Sequence, residues 1–174
     1  MIRILGLDIA SRHTGLVVLN KYGKVLHAST VKTKTGDKYS DWTLKIMDVV
    51  ANLIYDYKVT VGVIENYSFG ATWNLASITM NAELTGMLKN ILITNKCKIY
   101  LAAPNQLKKF ASGKGNTKKN FIPMFVKDNF KKTFATDDEC DAFILARIGL
   151  SLCNKHIKNK KYQQEVLDKI NGIE

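Results

Sequence analysis

Cysteine is scarce. The three thiols, Cys97, Cys140 and Cys153, lie far apart, with no CxxC pair and no Cys/His zinc spacing. That excludes a disulfide scaffold and a thiolate zinc centre, and it reads as reduced structural thiols in a cytosolic protein. Long apolar runs are missing as well: no stretch approaches the roughly 18 apolar residues of a membrane span. The apolar N-terminus is broken by Asp8, Arg12 and His13, where a signal peptide keeps its hydrophobic region whole. The phosphate-loop pattern GxxxxGK[ST] is absent, which removes a P-loop ATPase. Internal repeats and low-complexity tracts are absent too. Acidic residues are in short supply, 15 Asp+Glu against 26 Lys+Arg, leaving a net charge of +11. An excess of this size calls for a polyanionic partner. With no membrane segment, nucleic acid stands ahead of an anionic lipid surface.

What is present suits a single globular domain: 174 residues, 46% of them hydrophobic. Residues 2–9 form a nearly continuous apolar run, as a buried central strand does. Strands at 14–20 and 25–31 follow, joined by a turn at Lys21-Tyr22-Gly23-Lys24, so the chain opens as an antiparallel meander. Residues 39–57 place Leu44, Met47, Val50 and Ile54 at helical spacing. A short strand is expected at 60–65, a long helix at 75–94 and a strand at 99–101 stopped by Pro104. Further helices are expected at 105–111, 117–131 and 138–153, with a glycine-containing loop at 112–116. Residues 154–174 read as a polar, basic C-terminal tail with helical character at 163–170. A meander followed by alternating helices and strands predicts an α/β domain over residues 1–153, with a mixed five-stranded sheet flanked by helices.

The acids fall where a cation would hold them. Asp8 closes the apolar run Ile4-Leu5-Gly6-Leu7, and Glu65 closes Val61-Gly62-Val63-Ile64. A carboxylate at the end of a buried strand is costly unless it is paired or bound to a cation. Taken singly, Asp8 also reads as a turn residue and Glu65 as a surface residue. Asp138 and Asp141 are three apart at a helix start, on one face and one turn from each other. First-turn acids also answer the helix dipole, and Thr136 or Asp137 offers a cap. The helix that follows is largely apolar and must pack on the sheet, so its N-terminus can reach the strand ends. If the three ends coincide, four carboxylates converge. Such a cluster suits Mg²⁺, with Mn²⁺ as a substitute, rather than zinc. Paired ions of this kind support phosphodiester hydrolysis.

Between Asn105 and Thr133 the chain carries eight lysines against one acid, Asp128. Lys108, Lys109, Lys114, Lys118 and Lys119 flank the glycine loop and a helix start, a suitable phosphate-binding arrangement. A solvated lysine face is the plainer reading. Tyr67, Phe69 and Trp73 follow Glu65 closely, positioned either to stack on unpaired bases or to fill the core. Glu83 reads as a helix-surface or interface residue.

Gly6-Leu7-Asp8 with Gly15 downstream, Val63-Ile64-Glu65, Pro104-Asn105 with Lys108, Gly113-Lys114-Gly115 and Lys118, and Asp138-x-x-Asp141-Ala142 resemble RuvC-type Holliday junction resolvases in order and spacing. The likeness runs from about Ile4 to Leu150 and is nearest to the phage-type branch of that family. It implies an RNase H-like (ribonuclease H-like) fold, a cytoplasmic homodimer (in the bacterial host if phage-encoded) and paired metal-dependent nicks in branched DNA leaving 5′-phosphates. On the matching positions, Asp8, Glu65, Asp138 and Asp141 become catalytic metal ligands. Lys108, Lys114 and Lys118 become phosphate contacts, and Phe69 a junction-facing aromatic. Cellular resolvases usually carry Pro-Gly after the first Asp, whereas Ile9-Ala10 stands here. Three other readings compete. One is an RNase H-like nuclease acting on RNA or RNA–DNA hybrids. Another is a non-catalytic junction-binding protein, which has no need of four carboxylates. The third is an actin-like ATPase, which Gly6-Leu7-Asp8 and Thr14-Gly15 also resemble but which needs two such domains.

Overall fold

The computed structural model describes residues 1–34, 36–66, 75–170 and 172–173. Strands β1 (Arg3–Asp8), β2 (His13–Asn20) and β3 (Val25–Lys32) form the expected meander. Helix α1 (Tyr39–Tyr57) then leads to β4 (Val61–Glu65), and α2 (Leu75–Thr94) to β5 (Lys98–Ala102). Strand β4 adds in parallel beside β1, and β5 in parallel beside β4. Helices α3 (Pro104–Ser112), α4 (Ile122–Phe130), α5 (Asp137–Cys153) and α6 (Lys161–Leu167) follow. The five expected strands are all present. A two-residue strand, β6 (Gly172–Ile173), pairs antiparallel with the outer edge of β5, giving the order β3-β2-β1-β4-β5-β6.

Two apolar layers cover the sheet. On one face Leu5, Leu7, Leu16, Val18 and Ile64 pack against α1 and α2. On the other, Ile4, Val17, Leu19, Val61 and Val63 pack against α5, with α3, α4 and α6 around it. The buried stripe of α1 is Trp42, Ile46, Val50, Leu53 and Ile54, while Leu44 is 55% exposed. The stripe therefore sits on a different arc from the one suggested by Leu44 and Met47, because the 42-46-50 row brings the larger groups against β1 and β2. Residues 117–131 do not form one helix. Lys119–Phe121 is a 3₁₀ turn, and α4 begins at Ile122 with Pro123 in its first turn, where the missing N–H costs nothing. Residues 154–170 fold back onto this layer, with Val166, Leu167 and Ile170 buried.

Helix α5 is the central element. Phe143, Ile144, Leu145, Ile148 and Leu150 are all buried, each side chain worth about 1.5–3 kcal/mol of apolar burial. The helix lies unusually close to the sheet because its partners lack side chains. A Cβ on Gly6 would stand 2.0 Å from the Ala142 carbonyl oxygen, and one on Gly15 2.1 Å from the Asp138 carbonyl oxygen. Gly15 pairs in register with Asp8. The same contact therefore seats the helix and sets its first turn beside the end of β1. Gly15→Ala should lift that turn and destabilise the protein by about 3 kcal/mol in urea unfolding. An unchanged midpoint would mean that α5 does not depend on this contact.

Candidate active site

Strand register brings the first two acids together. Leu7 pairs with Ile64 across the parallel β1–β4 ladder, so Asp8 and Glu65 follow on adjacent strand ends. Side chains alternate along a strand. Asp8 shares the face of Ile4 and Gly6, and Glu65 that of Val61 and Val63, so both carboxylates stand on the side covered by α5. Thr136 caps α5, its hydroxyl accepting from the Glu139 amide at 3.1 Å. Glu139 turns away, accepting from the Ala135 amide at 3.2 Å and the Thr30 hydroxyl at 3.3 Å. Capping thus consumes Thr136 and Glu139. It leaves Asp138 and Asp141, on the neighbouring face, to look toward Asp8.

The four acids line one cleft of about 410 Å³, together with Asn81 and Lys108. Lys119 reaches in from the 3₁₀ turn. Its Nζ lies 3.2 Å from Asp141 Oδ2, 3.5 Å from Asp138 Oδ1 and 3.8 Å from Asp8 Oδ2. Burial, then the nearby Glu65 charge, raises the Asp8 carboxyl well above its ordinary range, and Lys119 works against that rise. Burial also raises Glu65, which is hydrogen-bonded to Asp8. Asp141 is pushed up to about 7 by burial and by Asp8, again opposed by Lys119. Burial disfavours the Lys119 charge, but Asp8 and Asp141 outweigh it and hold the ammonium above its usual range.

Among the described residues, no three His, Cys, Asp or Glu side chains are already closed to metal-ligand distance. The carboxylates are instead spread around the lysine. Their chemistry nonetheless fits a hard divalent cation, since every acidic donor is oxygen. Asp141 Oδ1 is buried without a hydrogen-bond partner, an acceptor that a cation would satisfy.

A family model for the crossover junction endodeoxyribonuclease RuvC matches residues 4–148. The chain belongs to the RuvC family. RuvC of Rhizobium leguminosarum bv. trifolii (strain WSM2304) is 26% identical over 170 residues, covering 95% of this chain and 96% of that protein. RuvC of Bartonella tribocorum (strain CIP 105476 / IBS 506) is 27% identical over 153 residues, covering 83% and 86%. Among solved structures, T. thermophilus RuvC in complex with Holliday junction substrate superposes with a TM-score of 0.72 at 17% identity, covering 88% of this chain and 93% of that one. The yeast mitochondrial Holliday junction resolvase Ydc2 gives 0.62 at 15% identity, covering 97% and 81%. At those identities the likeness is one of fold, and the RNase H-like architecture expected from the sequence is borne out. The RuvC match includes all four acids and ends within α5, before α6 begins.

Not every residue singled out in this RuvC-family chain gathers at the cleft. Lys108 lines it, and Lys119, though half-exposed, reaches in among the acids. Lys114 and Lys118 are exposed on a loop braced by the Ser112 hydroxyl, which donates to the Lys108 carbonyl at 2.8 Å and bonds Thr117 Oγ1 at 2.7 Å. Lys109 is turned elsewhere, paired with Glu165 of α6 at 2.7 Å. Glu83 is exposed and accepts from the Tyr39 hydroxyl at 2.6 Å, apart from the cleft. Asn81, one turn before Thr85 on α2, was not marked by any sequence pattern. Tyr67, Phe69 and Trp73 lie outside the described residues.

The raised Asp141 carboxyl carries a stability consequence. Below its ordinary value of 3.8 the group is protonated in folded and unfolded chains alike. Between there and about 7 the unfolded chain releases a proton that the fold retains, so stability is lost as pH rises through this window. Asp141→Asn keeps the neutral form. In EDTA its urea stability should match wild type near pH 4 and exceed it at pH 8, on the order of 4 kcal/mol. A variant weaker than wild type at pH 8 would show that the Asp141 charge is stabilising.

Proposed function

We propose that the chain is a divalent-metal-dependent endonuclease that cuts Holliday junctions and other branched DNA by paired nicks leaving 5′-phosphate and 3′-hydroxyl ends. The observation that carries this reading is the convergence of Asp8, Glu65, Asp138 and Asp141 on one cleft in a member of the RuvC family. Asp8, Glu65, Asp138 and Asp141 would hold Mg²⁺, with Mn²⁺ able to substitute. When bound, such ions supply Lewis acidity and offset the charge that develops in phosphodiester hydrolysis.

The chain's own groups do the rest. Asp8 is buried, and Glu65 stands beside it on the adjacent strand end, so the β1–β4 register fixes where their carboxylates project. Lys108, at the cleft wall, adds a weak favourable charge near Glu65 and lies where a phosphate would enter. Lys114 and Lys118 extend that positive surface along the loop, with Lys109 and Lys119 behind it, and Phe69 would face the branch point. The catalytic unit is assigned to residues 1–153. Residues 154–174 are assigned as a basic C-terminal tail, in which Gln163 Nε2 donates to the Phe110 carbonyl at 3.2 Å and so braces α3. Among the described residues the four acids form one such cleft, and paired nicks require two, hence a homodimer. Among the described residues no helix is long and apolar enough to cross a membrane, and the site of action is taken to be the cytoplasm, where its DNA lies.

Labelled four-way junction, replication fork, linear duplex and RNA–DNA hybrid, each incubated with Mg²⁺, Mn²⁺ or EDTA, test the reading. Metal-dependent paired nicks in the junction and none in the duplex are expected. Cutting of the hybrid alone would move the activity to RNA, and binding without cutting in every metal would leave a junction-binding module. Asp8→Asn should abolish cutting while junction binding survives; loss of binding would make Asp8 structural. Lys114→Ala should weaken junction binding and reduce its dependence on log salt by about one phosphate contact. An unaltered slope would remove the loop from the DNA surface.

A further inference from the structure

Lys119 stands in an unusual position for a residue of a basic segment. Its ammonium is not at the rim of the cleft but among three aspartates, within 3.2–3.8 Å of one oxygen of each. Two of those, Asp8 and Asp141, are buried. A single positive charge does not balance four carboxylates, and Asp141 Oδ1 is left without a hydrogen-bond partner. Among the described residues, these contacts are what anchor the side chain. It projects from a three-residue 3₁₀ turn and is 53% exposed, so it has room to leave toward solvent.

We propose that the Lys119 ammonium and the divalent cations compete for the same carboxylates, so that metal binding expels Lys119 from the acid cluster toward the phosphate-binding surface. The inference rests on the reading of these acids as a metal site. In the metal-free protein the lysine acts as an internal counter-ion that keeps Asp8, Asp138 and Asp141 together. A doubly charged ion outcompetes it, and the freed ammonium adds one cation beside Lys108 and Lys118. Metal occupancy and DNA binding then support each other, because whatever draws Lys119 to a phosphate leaves the carboxylates open to the ion. Lys119 is thus a positioning residue that couples the two ligands.

The test is Mn²⁺ binding without DNA, followed by the electron paramagnetic resonance of the free ion, on wild type, Lys119→Met and Lys118→Met. Lys118 is exposed and makes no ion pair among the described residues, so its variant reports the loss of a nearby charge alone. Lys119→Met is expected to bind Mn²⁺ about tenfold tighter than wild type, with Lys118→Met close to wild type. Equal or weaker binding by Lys119→Met overturns the competition while leaving the metal site standing. No Mn²⁺ binding by wild type overturns both. Should Lys119→Met fail to fold, amine acylation of the wild-type protein read by mass spectrometry decides the matter. Lys119 should react faster with Mn²⁺ present than in EDTA, and unchanged reactivity overturns the proposal.

Discussion

Carboxylates gathered in a half-buried cleft repel one another and lose hydration, so they persist only if a cation answers them. Much of this structure can be read as the means of meeting that demand. Asp8 and Glu65 end two hydrogen-bonded strands, Asp138 and Asp141 open the helix that crosses them, and Lys119 reaches in from a separate turn. Burial first, and then neighbouring carboxylates, raises the Asp8, Glu65 and Asp141 carboxyls, and one lysine does not offset the rise. A site with unmet negative charge is suited to divalent ions and to the phosphodiester chemistry of the RuvC family.

The fold enforces the cluster through backbone geometry rather than through the acids themselves. Strand alternation fixes which face Asp8 and Glu65 occupy, and the β1–β4 register fixes that they stand side by side. Glycine at positions 6 and 15 lets α5 approach the sheet at distances that no side chain would allow. The energy that holds the acids together comes from elsewhere, from the apolar body of α5 buried against β1, β2 and β4. The chain uses hydrophobic packing to offset an electrostatic cost at one end of the same helix.

That division explains what was legible in the sequence. Asp8 and Glu65 stand out because each ends an apolar strand, and Asp138 with Asp141 because their spacing places them on one helix face. The strands, the meander and the helix order all follow from local periodicity. What could not be read depends on contacts between distant segments. Nothing in the run Lys118-Lys119 says which lysine turns inward, and nothing near Lys109 announces its partner Glu165, 56 positions away. Asn81 reaches the cleft only because α2 passes beside it. The arc of α1 and the 3₁₀ turn ahead of α4 were likewise decided by packing and by Pro123, not by the hydrophobic period alone.

The four carboxylates are proposed as a divalent metal site. The most direct measurement is anomalous diffraction from crystals of the protein soaked in Mn²⁺. Anomalous density bounded by Asp8, Glu65, Asp138 and Asp141 is expected, and its loss in Asp8→Asn crystals. Density elsewhere, or none at that cleft with Mn²⁺ in excess, would contradict the assignment.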